Sequence, residues 1–147
     1  MTPGPFTAVR WRWIVASVLL AAWCASLILP AVAITFDRGA GPVTFNGWQV
    51  LRSGWMDVFA LQFGWGANPA LVAVLLLLVL DPPRPWLLRI AGAAVFLCAL
   101  HSIDLFLRPD FYGMAGAYAG YFLWMVVMAG AGAAALFASM DKAMDTR

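Results

Sequence analysis

The sequence predicts an all-α polytopic membrane protein: four transmembrane helices with an interfacial or re-entrant helix in the first outer loop, all within one domain over residues 1–147. Three observations carry that expectation. Of 147 residues, 64% are hydrophobic before the 13 glycines are counted, against roughly 45 to 50% with glycine included in soluble domains. Only 11% are charged, as eight Arg, one Lys and seven Asp with no Glu, which is too few to clothe a water-facing surface. The apolar residues also gather into runs of the length that a bilayer requires.

The first run, residues 13–34, has no charge in 22 residues and reaches about 33 Å as a helix, enough for the ~30 Å hydrocarbon layer. Trp11 and Trp13 flank Arg12, which sets amphipathic rings and a snorkelling cation at one headgroup level. Arg10 and Arg12, the apolar stretch and Pro30-Ala31-Val32-Ala33 also read as a secretory signal with a small-residue cleavage site. The run exceeds the ~7 to 15 apolar residues usual there, which favours a retained helix.

The second crossing, residues 69–80, starts at Asn68-Pro69, where Asn caps orphan N–H groups and Pro fits the first helical position. Asp81-Pro82-Pro83-Arg84-Pro85 stops it. Those 12 residues span only about 18 Å, so the apolar stretch 58–67 is expected to dip below the headgroups, either as a helix from about Asp57 kinked at Asn68-Pro69 or, as the capping chemistry favours, as a short helix that turns at Gly64-Trp65-Gly66 and restarts at Asn68. Within the loop over residues 34–67, Asn46-Gly47-Trp48-Gln49 forms a capping-box pattern, so a helix should begin near Gly47. Continued to Phe63, it would place Trp48, Leu51, Trp55, Val58, Phe59 and Gln62 on one face, with Trp48, Trp55 and Trp65, and then Asn68 and Pro69, anchoring the segment in the interface. Segments 86–107 and 114–140 are each long enough to complete a crossing.

Cations flanking these crossings are unequally shared. Arg10, Arg12, Arg84, Arg89, Lys142 and Arg147 fall on one side and Arg38, Arg52 and Arg108 on the other. The positive-inside rule therefore puts both termini in the cytoplasm of a bacterial inner membrane. The net charge of +2 is scattered and forms no basic stripe, so no nucleic-acid partner is expected.

Polar residues inside the runs are the candidates for chemistry. Cys98, His101, Asp104 and Arg108 project along one face of the outer half of the third segment. An i,i+4 ion pair and a satisfied histidine explain them without a special role, while a proton relay is the functional alternative. Cys24, Cys98, His101 and Asp104 are competent metal ligands but have no ligand spacing, and a lone His101 is weak evidence for haem or a pigment. No metal and no cofactor are predicted. The two cysteines read as packing residues in apolar runs. No nucleophile elbow, phosphate-cradling glycine loop or paired carboxylate appears, so no catalytic activity is expected.

The fourth segment repeats Gly116, Gly120, Trp124, Met128, Gly132 and Leu136 at every fourth residue. Its Gly116-x-x-x-Gly120 motif should pack against a ridge of Ser17, Ala21 and Ala25 in the first segment, or against another subunit.

With Thr44-Phe45-Asn46-Gly47-Trp48, Gly64-Trp65-Gly66-Ala67-Asn68-Pro69 and Gly120-Tyr121-Phe122-Leu123-Trp124 in view, the chain resembles small, uncharacterised four-helix inner-membrane proteins of bacteria. That resemblance implies a fold and no activity. The sequence thus points to an accessory or structural subunit of a membrane assembly, with the bilayer and a protein partner or second copy as its neighbours. The alternatives are a small transporter or channel component with a periplasm-facing cavity, and a cofactor-binding protein using His101.

Overall fold

The computed structural model describes residues 5–36, 41–54, 64–80, 84–108 and 114–145. The chain is mostly helical. Helix α1 (Pro5–Ile28) leads into strand β1 (Pro30–Ile34), then β2 (Val43–Asn46) and α2 (Gly47–Ser53). A 3-10 turn (Gly64–Gly66) opens α3 (Ala67–Leu80), followed by α4 (Pro85–Ser102), α5 (Asp104–Leu107), β3 (Met114–Ala117) and α6 (Ala119–Asp145). Three stretches, Arg10–Ile28, Pro85–Ser102 and Ala119–Asp141, are long and apolar enough to cross a membrane. With 14 residues, α3 reaches only about 21 Å and falls short of the ~30 Å layer.

The all-α expectation is corrected by a three-stranded sheet in the order β2-β1-β3, antiparallel at both pairings. Residues 30–34, expected to finish the first transmembrane helix, form its central strand. Proline explains the break, since its ring lacks a donor and forces the preceding residue out of helical geometry. Ala33 lies between Thr44 on one side and Gly116 on the other. Ala31, Val32 and Ala33 are buried.

Residues 114–117, expected to open the fourth transmembrane helix, are likewise a strand. Gly116 therefore belongs to β3, and the Gly116-x-x-x-Gly120 helical motif does not form. Gly120 does sit at a close approach: a Cβ there would lie 2.7 Å from the Pro30 carbonyl oxygen and 2.8 Å from that of Leu29. The backbone bonds Gly47 N–H to Leu29 O (3.1 Å) and Tyr118 N–H to Ala31 O (2.9 Å) fasten α2 and α6 to the same joint.

The core is a seam of Leu71, Val74 and Leu78 from α3, Leu88 and Val95 from α4, and Val127, Met128 and Ala135 from α6. The tight crossing joins α4 to α6. A Cβ on Gly92 would stand 3.0 Å from Ala135 Cβ, and one on Gly132 would collide with the Phe96 ring. By contrast, Ser17, Ala21 and Ala25 are exposed, so they are not the ridge that meets α6; Ala16, Leu19, Trp23 and Ser26 face inward instead. Helix α1 is apolar all round, and lipid does not distinguish one apolar face from another. Leu136 is 41% exposed because a row of every fourth residue drifts around a helix with 3.6 residues per turn. Arg12, expected to snorkel, is buried with its guanidinium 5.9 Å from the Trp11 ring centre.

Replacing Gly132 with Leu is expected to lower stability by about 1–3 kcal/mol, the usual cost of overpacking, by driving α6 away from Phe96. Thermal unfolding in detergent, with Leu136→Ala as an exposed control on the same helix, checks this; equal midpoints for both variants would refute the close crossing.

Candidate functional site

The polar chemistry of the interior converges on Asn68, in the first turn of α3. It was expected to act as an N-cap, but the helix starts one residue earlier, at Ala67. Its side chain, 9% exposed, is turned to another use. The Oδ1 oxygen accepts two indole N–H groups, from Trp23 on α1 (3.1 Å) and Trp124 on α6 (3.0 Å). The amide Nδ2 donates to the carbonyl of Trp65 in the 3-10 turn (3.1 Å). Trp65 in turn donates its indole N–H to the Leu51 carbonyl of α2 (2.8 Å). One amide thereby ties α1, α3, α6 and the turn together, and the turn carries α2.

Around this knot lies a cavity of about 270 Å³, bounded by the end of α1, β1, α2, the 3-10 turn, the last residue of α4 and the first turns of α6. Three lining glycines allow its walls to close up. A Cβ at Gly47 would collide with the Ser26 carbonyl, one at Gly64 with the Ser102 hydroxyl, and one at Gly120 with the α1–β1 joint. Tyr121 donates its hydroxyl to the Ser102 carbonyl (2.8 Å), satisfying an acceptor that the end of α4 leaves over. The Ser26 and Ser102 hydroxyls donate to the Trp23 (2.7 Å) and Cys98 (3.2 Å) carbonyls. Among the described residues that line the cavity there is no charged side chain.

The residues singled out for chemistry lie elsewhere. The third segment breaks at Ile103, so Cys98 and His101 sit on α4 while Asp104 opens α5. Arg108 Nε meets Asp104 Oδ1 at 3.2 Å, an i,i+4 pair with the arginine side chain 69% exposed. His101 is half-buried in the last turn of α4, and Cys98 stands near Gly66. None of these four lines the cavity. Among the described residues, no three His, Cys, Asp or Glu side chains gather where a metal could be held.

Of the expected anchors, Trp48 is 57% exposed and Pro69 is exposed, whereas Trp65 and Asn68 point into the protein. Trp55 and residues 58–63 of the stretch 58–67 that was expected to dip lie outside the described residues. The capping box is present in full: Gln49 N–H donates to Asn46 Oδ1, and Asn46 N–H to Gln49 Oε1, both at 2.9 Å. Sequence alone does not single out Trp23, Ser26 or Ser102, and it presents Tyr121 and Trp124 only as part of a packing row and an aromatic stretch of the fourth segment. A signal existed in Trp23 and Trp124, because an indole N–H deep in an apolar run must find an acceptor.

Comparison with protein-family models, with curated proteins and with solved structures finds no match to this chain. Fold and site together define a helical bundle with three membrane-length helices, capped at one end by a small sheet and clasped there by an asparagine.

Asn68→Leu keeps the side-chain bulk and strands two indole donors, so stability should fall by about 2–6 kcal/mol, from ~1–3 for each buried group left unsatisfied. Thermal unfolding beside Pro69→Ala, an exposed neighbour, measures it; a loss no larger than that of the control would show that the knot is not structural.

Proposed function

We propose that this chain is an accessory or structural subunit of a bacterial inner-membrane assembly, without catalytic activity, that holds a rigid platform at the outer membrane surface. The observation that carries the reading is the Asn68 knot, which spends the polar atoms at the sheet end on locking helices to one another and to their cap. A side chain committed to three bonds positions surfaces; it does not react.

The same geometry lends support to an orientation. Because β1 follows α1 and β3 precedes α6 in an antiparallel pair, the start of α1 and the end of α6 share the opposite pole. Arg10, Arg12, Arg84 and Arg89 stand at that pole and Arg52 and Arg108 toward the sheet, which supports cytoplasmic termini. Arg89 Nε also reaches Ser139 Oγ there (3.4 Å). The outward face of α1 is where we place the partner, since Ser17, Ala21 and Ala25 leave it smooth. The cavity favours a second reading, a small transporter or channel component, though His101 and Asp104 then have no part in lining the path. A pigment or haem on His101 gains no support from it.

Two measurements test the proposal. A fluorescent-protein fusion at the C-terminus should glow and an alkaline-phosphatase insertion at Gly41 should be active; the reverse pattern would overturn the orientation. Native mass after mild solubilisation from the source membrane should give a fixed assembly heavier than the 15.9 kDa chain, dispersed by Ala21→Trp. A lone monomer would overturn the subunit reading.

A further inference from the structure

The sheet-end cavity has a chemistry of its own, independent of whether the chain is a subunit. Asn68 Nδ2 carries two hydrogens and spends one on the Trp65 carbonyl, while Oδ1 is saturated by two indoles. The amide therefore offers the cavity a single donor. Ser26 and Ser102, both lining the cavity, have turned their hydrogens toward backbone carbonyls, so their oxygens can serve there only as acceptors. One donor beside hydroxyl acceptors complements a group that both accepts and donates once, which is the hydrogen-bonding pattern of an alcohol.

Charge and shape narrow the class further. A carboxylate, phosphate or ammonium would enter with no counter-charge among the described lining residues, and a buried unpaired ion is strongly disfavoured. The walls are otherwise apolar, formed by Leu27, Val32, Val50 and Leu51 with the Tyr121 and Trp124 rings. The volume of about 270 Å³ lies just below the ~300–1,000 Å³ of small-molecule pockets, which suits one chain.

We infer that the cavity between α1, β1, α2 and α6 is a binding site for an uncharged, single-chain, hydroxyl-bearing amphiphile taken from the membrane, its hydroxyl between Asn68 and Ser102 and its chain along Val50 and Trp124. Gly47, Gly64 and Gly120 leave no room for a Cβ, so side-chain substitutions there would press on the walls of the site.

The test uses the full chain in phosphatidylethanolamine and phosphatidylglycerol nanodiscs, with a diazirine-bearing twelve-carbon primary alcohol as photolabel and the matching carboxylic acid at pH 8 as its charged counterpart. The alcohol should label the segments 26–34, 47–54 and 120–124, compete with excess 1-dodecanol but not dodecane, and exceed the carboxylate by about tenfold there. Ser102→Ala, small enough to leave the fold in place, should weaken labelling about fivefold, the worth of one hydrogen bond. Val50→Phe should abolish it by filling the cavity. Equal labelling by alcohol and carboxylate, full labelling in either variant, or label confined to the lipid-facing Val18, Leu97 and Val126 would each overturn the inference. None of these outcomes bears on the oligomeric mass that tests the subunit reading.

Discussion

An indole N–H placed in the apolar interior of a helical bundle has to find an acceptor, and in this protein two such groups find the same one. Asn68 Oδ1 takes the protons of Trp23 and Trp124, so the positions of α1 and α6 are fixed relative to α3 by a single atom. Neutral hydrogen bonds of this kind contribute about 1 kcal/mol each, but leaving a donor unsatisfied in a medium without water costs more than the bond itself provides. The penalty for any other arrangement is what makes the arrangement unique. Packing alone cannot do this in lipid, where the outside of a helix is as apolar as its neighbours.

The sheet extends the same constraint toward the solvent. Strands β2 and β3 each turn one edge away from β1, and their backbone groups on that side need water or headgroups, because hydrocarbon offers no partners. In a bundle that crosses a bilayer, such a cap belongs where water or headgroups reach it. The short α3 fits that geometry. Its 14 residues are too few to traverse the layer, and the half-buried 3-10 turn before it is held by the Trp65 indole on α2 and the approach of Gly64 to Ser102.

What could be read from the residues depended on whether the signal was local. The capping box at Asn46 and Gln49, the turn at Gly64–Gly66, the stop before Pro85 and the Asp104–Arg108 pair all rest on neighbours a few residues apart, and each is where its spacing puts it. The sheet was not legible. Its central strand is a five-residue piece whose partners lie about ten and eighty residues away, and Pro30 reads equally as a helix end or a cleavage signal. The inward face of α1 was invisible for a different reason: a helix apolar on every side carries no record of which side meets protein. The candidate site was half legible. Asn68 and Trp65 stood out by type, but their partners Trp23 and Trp124 could be joined to them only by the fold.

Pairing of β1 with β3 also bears on how the chain is made. Residues 30–34 leave the ribosome long before residues 114–117, and α3 and α4 are synthesised in between. The partner on the β2 side is near in sequence, but the other flank of the central strand has its partner in the last third of the polypeptide. Contacts so distant along the chain close late. Until β3 is made, the flank of β1 that meets it carries backbone groups open to another partner.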